Sequence, residues 1–363
     1  MTEFLTNEYL PEVVSLPGES LLEVLESKDM SQAELAERTG RPKKTINEIV
    51  NGKAAITPET AIQFERVLGV PAEYWNNRER QYREALARRN EIAHFASHAD
   101  WADRFPCAAM EKIGWIRPRR DKAGRVDELL TFFRVASPAA WSDCWREPQA
   151  AFRRSPSFQA RFAAVAAWLR KGEIEAAQVN ADPFQPDRFR QCMSSIRSLT
   201  RADDDEFSSK LVDICAASGV VVVFVPELPG AHVWGATRWL GSEKALIQLS
   251  LRYKTDDHLW FTFFHEAGHV LLHGKRETFI EADESARDAK KEQEADAFAR
   301  DILIPAPAMK AFLRRRVFAC TAIRQFAYET GIAPGVVVGR LQHDGLLPQN
   351  HCNELKRRLS LTE

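Results

Sequence analysis

The chain's 363 residues leave room for two or three domains. Lys and Arg number 50 against 51 Asp and Glu, a formal charge of −1. No global field therefore draws the chain to nucleic acid or to an acidic membrane, and any such binding needs a local patch. Six cysteines (Cys107, Cys144, Cys192, Cys215, Cys320, Cys352) are scattered with no C-x-x-C pair, which predicts reduced thiols in a cytoplasmic protein.

Residues 1–15 carry little pattern and read as a flexible arm. Met1-Thr2-Glu3-Phe4 has no basic region leading into an apolar core, so no signal peptide is expected. From Leu16 a dense series of short helices begins. Leu21, Leu22 and Leu25 fit the first. Ser31 and Glu34 form a capping box that starts the second, which ends at Thr39-Gly40. Arg41-Pro42 opens the third, which runs to Asn51-Gly52. Thr57-Pro58 opens a fourth and Val70-Pro71 a fifth. Two short helices joined by a tight turn containing Gly mark a helix-turn-helix. Across Ser15–Trp75 there are seven Lys/Arg and ten Asp/Glu, yet Arg38–Lys53 alone holds five Lys/Arg against one Glu. Positive charge is concentrated where phosphate contact would need it. A module kept only for protein interaction is the alternative.

Through Ile46-Asn47-Glu48-Ile49-Val50-Asn51-Gly52-Lys53 and Leu68-Gly69-Val70-Pro71-Ala72-Glu73-Tyr74-Trp75, residues 16–76 resemble the lambda-repressor/Cro class of DNA-binding domains, and within it antitoxins of the HigA type. The resemblance implies that the third helix enters the major groove of double-stranded operator DNA. Lys43, Lys44, Thr45, Asn47 and Glu48 would meet bases and phosphates, with Arg41 and Lys53 on the backbone. A homodimer reading paired half-sites is expected.

Residues 77–195 read as a helical bridging region. An Arg-rich connecting helix runs to about His98, and Arg117–Lys122 is an exposed basic turn. The aromatics from Phe132 to Trp168 read as ordinary core, with a sensor pocket as the alternative.

Residues 196–310 read as an α+β domain. Asp205–Ala217 is a helix, Gly219–Val225 a buried β-branched strand far too short to span a bilayer, and Val233–Trp239 and Ala245–Leu251 two further strands. No membrane partner is expected. Along Lys244–Ser250 an extended substrate is expected to pair by β-augmentation, at Leu246 and Gln248. Thr255-Asp256-Asp257 then supplies a cap and first-turn carboxylates for the next helix.

That helix contains His265-Glu266-Ala267-Gly268-His269, an H-E-x-x-H motif. Four residues are slightly more than one helical turn, so both imidazoles share a face and can grip one Zn²⁺, with Glu266 placed to take a proton from water. The flanking Phe263, Phe264, Val270 and Leu271 make the helix apolar nearly all round, a costly place for unpartnered polar groups. Mn²⁺ is possible at such a site. The third ligand is sought in Lys291–Ala299, where Glu294 flanks the stripe of Ala295, Phe298, Ala299 and Ile302 and is preferred to Glu292. Asp296 can bond the free ring nitrogen of a ligating His. The alternative is that these acids are a wet helix face. His273 is a helix cap, a further ligand or a partner of one. His232, His258 and His273 are candidates for the oxyanion donor.

Together with Leu303-Ile304-Pro305, the pattern resembles the ImmA/IrrE family of metallo-endopeptidases over about Ile196–Pro305. The resemblance implies a zincin-like α+β fold, His265, His269 and Glu294 as ligands, Glu266 as base, and cleavage of a regulatory protein such as a partner repressor, a toxin–antitoxin component or the chain itself. Lys275–Lys291 reads as a mobile loop. Residues 311–363 read as a small helical appendage, with a tail from Gln349 that frays. The expected whole is a multidomain regulator coupling a helix-turn-helix to a zinc peptidase. The alternative is an antitoxin-like repressor whose second domain cuts nothing.

Overall fold

A computed structural model describes residues 15–146, 156–250, 255–274, 278–282 and 289–359. The structure is multidomain. Contacts divide it into one unit ending at His98, which also takes Lys122–Gly124, and a second unit comprising the remainder.

The first unit is all helical. Helices α1 (Pro17–Ser27), α2 (Gln32–Thr39), α3 (Lys43–Val50) and α4 (Pro58–Leu68) enclose Leu21, Leu35, Ile46, Ile49, Phe64 and Trp75. The Ser31 side chain accepts the Glu34 N–H at the start of α2, and Gly40 ends that helix at φ 66°, a conformation that strains any residue with a Cβ. The α2–turn–α3 arrangement is thus fixed by local chemistry. The fifth helix and the connecting helix expected from sequence form a single element, α5 (Ala72–Ala96).

The second unit begins with α6 (Ala99–Ala102), α7 (Cys107–Lys112), α8 (Lys122–Phe133) and α9 (Pro138–Cys144). Trp101, Phe105, Phe133, Trp141 and Trp145 are buried against one another, mostly edge to face, as ring quadrupoles prefer. Phe133, Trp141 and Trp145 are core, as read from sequence, and Trp101 and Phe105 join them. Next come α10 (Pro156–Ala176), α11 (Pro186–Ser198) and α12 (Asp204–Ala216). Helix α10 packs on the sheet: the Trp168 indole N–H donates to the Val225 carbonyl at 3.0 Å. Part of the bridging stretch therefore belongs to the same compact unit as the sheet.

The sheet holds β1 (Val220–Phe224), β2 (Val233–Trp239), β3 (Ala245–Leu249) and β4 (Phe279–Ala282) in the order β1-β3-β2-β4. Strand β3 is parallel to β1 and antiparallel to β2, and β2 is antiparallel to β4. This corrects the expected substrate strand. Strand β3 is paired on both sides, so it offers no free edge. Leu246 and Gln248 are fully buried, and the Gln248 amide donates to the Trp168 carbonyl at 2.7 Å. A Cβ on Gly172 of α10 would sit 1.9 Å from Gln248 Oε1, so glycine is what admits this close approach.

Helix α13 (Asp256–Leu272) carries the H-E-x-x-H motif and packs against β2, β3 and α14 (Ala289–Leu303). Thr255 makes no side-chain cap, although Asp256 and Asp257 do lie in the first turn. Of the segment read as a mobile loop, Phe279–Ala282 is strand β4, while 275–277 and 283–288 lie outside the described residues.

Helices α15 (Ala306–Arg314), α16 (Cys320–Thr330) and α17 (Pro334–His343) follow. Ile323, Phe326, Val337 and Leu341 join the core of the sheet and α13, so the expected appendage is integral. Among the described residues, to Leu359, the tail does not fray as expected. Leu355 and Leu359 are buried, Thr255 pairs with Arg358, and Lys356 Nζ lies 2.7 Å from Asp257 Oδ2. A disulfide joins Cys320 to Cys352, contrary to the expectation of reduced thiols throughout. A separation of 32 residues hides the pairing from sequence, because it depends on the tail folding back over α16. Among the described residues, no helix is long and apolar enough to cross a membrane.

Candidate metal centre

His265, Glu266 and His269 are buried, at 2%, 0% and 1% exposure. Helical spacing brings His265 Nε2 and His269 Nε2 within 3.0 Å. Helix α14 meets α13 closely because Gly268 has no side chain. A Cβ there would lie 3.1 Å from the Ala295 Cα.

The carboxylate facing both imidazoles is Glu292, not Glu294. Glu292 Oε2 is 3.2 Å from His265 Nε2 and its Oε1 3.7 Å from His269 Nε2. One atom each from His265, His269 and Glu292 can lie within 4.8 Å of one another. The side chain of Glu292 is 15% exposed and that of Glu294 45%, against the preference for Glu294 read from sequence. The reason is the helical repeat: Glu292 precedes Ala295 by three residues and Asp296 by four, so it shares their face, whereas Glu294 is turned about 100° from Ala295.

Hydrogen bonds on the far side of each ring fix what the Nε2 atoms present. Asp296 Oδ1 lies 2.9 Å from His265 Nδ1, so Nδ1–H donates and Nε2 keeps a lone pair. Burial pushes the Asp296 carboxyl up, but the hydrogen bond from His265 and the charge of Arg300 draw it below its ordinary value. Glu294 Oε2 lies 3.2 Å from His273 Nε2, and His273 Nδ1 lies 2.9 Å from His269 Nδ1. Glu294 therefore fixes His273 as an Nε2–H donor, and His273 accepts from His269 Nδ1–H. The second imidazole thus also turns a lone pair inward. Two such lone pairs and a carboxylate converging on one point repel one another and fit a divalent cation. Asp296 and His273 contact the outer ring nitrogens of His265 and His269, and Glu294 reaches His269 only through His273.

Sequence reasoning missed Thr237 and Phe279. The buried Thr237 hydroxyl donates to Glu266 Oε2 at 2.6 Å. Opposite it on β2, Gly235 leaves the space Glu266 needs, since a Cβ there would meet Glu266 Oε1 at 2.8 Å. Phe279 of β4 stacks on His269 with centroids 4.0 Å apart. The inward threonine of a strand was the only available signal.

In the first unit, Lys43, Lys44, Asn47 and Lys53 are exposed, while Thr45 and Arg41 are half-buried. The Arg41 Nε–H donates to Gln63 Oε1, which ties the start of α3 to α4. Lys44 lies 3.7 Å from Glu48, and the Asn47 side chain accepts from Asn51. Ile46 and Ile49 anchor the opposite face of α3 in the core.

Comparison with known proteins agrees with this division. Residues 21–75 match the helix-turn-helix family, and residues 215–330 match the IrrE N-terminal-like domain family. The chain carries a helix-turn-helix domain followed by an IrrE-like domain. Among solved structures, it is similar to an addiction-module antidote protein of the HigA family from Coxiella burnetii (29% identity, 21% of this chain and 85% of that one, TM-score 0.20). It is also similar to a putative antidote protein of a plasmid maintenance system from Nostoc punctiforme (28% identity, 22% and 89%, TM-score 0.22). No curated protein resembles the chain closely enough to count as a match. The helix-turn-helix family makes the amino-terminal domain the DNA-binding part of a transcriptional regulator, and the IrrE-like family makes the second domain a peptidase-type module.

Proposed function

We propose that the chain is a cytoplasmic DNA-binding regulator whose IrrE-like domain is a zinc-dependent endopeptidase acting on a regulatory protein. The observation that carries the reading is the meeting of His265, His269 and Glu292, with the outer nitrogens of both imidazoles engaged. Zinc held there supplies Lewis acidity, activating water and polarising the scissile carbonyl. Glu266, aligned by Thr237, accepts the proton of the attacking water and passes it to the leaving amine. In the first unit the exposed face of α3, with Lys43, Lys44 and Asn47, supports major-groove contact by a homodimer.

Glu266→Gln tests the reading. Full-length protein carrying it should retain zinc by elemental analysis and operator binding by gel shift, and should lose cleavage of a synthetic peptide library. Cleavage persisting in Glu266→Gln would remove the assigned base. No cleavage by the zinc-loaded wild type would instead favour an antitoxin-like repressor with a non-catalytic second domain.

A further inference from the structure

Where α13 and α14 run on past the metal centre, they are joined by α17 around a partly open cavity of about 110 Å³. Phe261, Leu303, Ile304, Val336 and His343 wall it, and Arg300 adds positive charge. The cavity is one turn from His265 on α13, and on α14 it is one turn from Asp296 and two from Glu292. Phe261 precedes His265 by four residues, and Arg300 follows Asp296 by four, a step of about 6 Å along each axis. The Phe261 and His265 rings are 6.2 Å apart. An extended peptide advances about 3.3 Å per residue, so a chain crossing the centre meets the cavity one or two residues from the bond being cut.

Most charges around this cavity are already matched. Asp257 is held by Lys356 at 2.7 Å and Arg340 by Asp344 at 2.7 Å. Arg300, half-buried, has no direct hydrogen bond or ion pair among the described residues, and its charge acts on Asp296 only at longer range. A guanidinium held against apolar walls is poorly solvated and is best relieved by a carboxylate, which it can grip with two parallel bonds.

We propose that this cavity is the substrate-reading pocket of the peptidase. It takes a large apolar side chain (Leu, Met or Phe) next to the scissile bond, and Arg300 receives the carboxylate of an acidic residue beside it. The proposal rests on the hydrolase reading above.

The test uses full-length zinc-loaded protein and a random decapeptide library, read by mass spectrometry in two arms. In the first, peptides retained by immobilised Glu266→Gln protein are sequenced. In the second, Glu266 is intact and the cleaved bonds are mapped. Arg300→Gln, Arg300→Glu and Val336→Phe are made in both backgrounds, with zinc content as the check that the centre persists.

Retained peptides should pair an acidic residue with a large apolar one. Arg300→Gln should reduce the acidic enrichment about tenfold, the loss expected for one hydrogen bond to a charged group. Arg300→Glu should turn it into a preference for Lys and Arg, and Val336→Phe should shift the apolar preference to smaller side chains. Identical profiles in all variants, or no retention by any, would overturn the pocket. A variant-dependent retention profile without cleavage in the second arm would uphold the pocket and overturn the hydrolase reading.

Discussion

Two carboxylates on α14, Glu292 and Glu294, do different work because one more residue of helix turns a side chain through about 100°. Glu292→Gln should abolish stoichiometric zinc, and Glu294→Gln should retain it with weakened affinity. Asp296→Asn should cost about 10–100-fold in affinity, as the loss of a ligand's supporting carboxylate does. Competition with a chromophoric chelator ranks all three, and equal zinc in Glu292→Gln and wild type would refute the assignment. A second prediction concerns Glu266. Thr237→Val should keep zinc and fold while lowering kcat about 10-fold or more, because the carboxylate loses the donor that aims it. An unchanged kcat would exclude that role. His265, Glu266 and His269 were legible in sequence because their relation is local, set by one turn. Thr237 was not, since it comes from a strand 29 residues upstream and reaches Glu266 only once β2 lies against α13.

Elements meet here through missing side chains. Gly268 lets α14 touch α13, Gly235 makes room for Glu266 on β2, and Gly335 and Gly339 let α17 approach Asp256 and Asp257, where a Cβ would fall 2.3 and 2.5 Å from their oxygens. Gly268→Val should push α14 away from α13, costing about 1–3 kcal/mol by overpacking. It should lower zinc affinity at the same time, because Glu292 and Asp296 ride on α14. Thermal unfolding with and without chelator measures both, and a variant with normal melting and normal zinc would show the contact to be slack. Strand β1 was readable as buried because four successive valines suit a strand covered on both faces. The neighbours of β3 were not readable. Alternation within a strand tells which face a residue takes, but not whether the strand lies at an edge, so Gln248 looked like substrate-facing surface when it is bound to Trp168.

For the whole molecule, the sequence showed two chemistries joined in one chain, and local capping and turn residues carried the first unit almost completely. It showed less of the second unit, whose core draws on residues from Phe189 to Leu359, too far apart for any periodicity to connect. One consequence is measurable against pH. Burial pushes the Asp256 carboxyl from its ordinary 3.8 to about 6. Between those values the native state binds more protons than the unfolded chain, so the contribution of Asp256 to stability is fully present below 3.8 and is lost as pH rises through about 6. Asp256→Asn should flatten that part of the profile, raising the unfolding midpoint at pH 7 relative to wild type more than at pH 4. A parallel shift at both would exclude the linkage.

The clasp between the start of α13 and residues 352–359 also bears on how the molecule is made. Arg357 N–H reaches Asp256 Oδ1 across 101 residues of chain. A ribosome adding roughly 5–20 residues per second finishes the helix-turn-helix early. It then needs roughly 5–20 further seconds after the motif helix is synthesised before the segment that holds the start of that helix exists. Each newborn chain therefore passes through an interval in which its helix-turn-helix is complete before the start of the helix carrying His265 and His269 is clasped. The delay is written into the distance between two contacting residues.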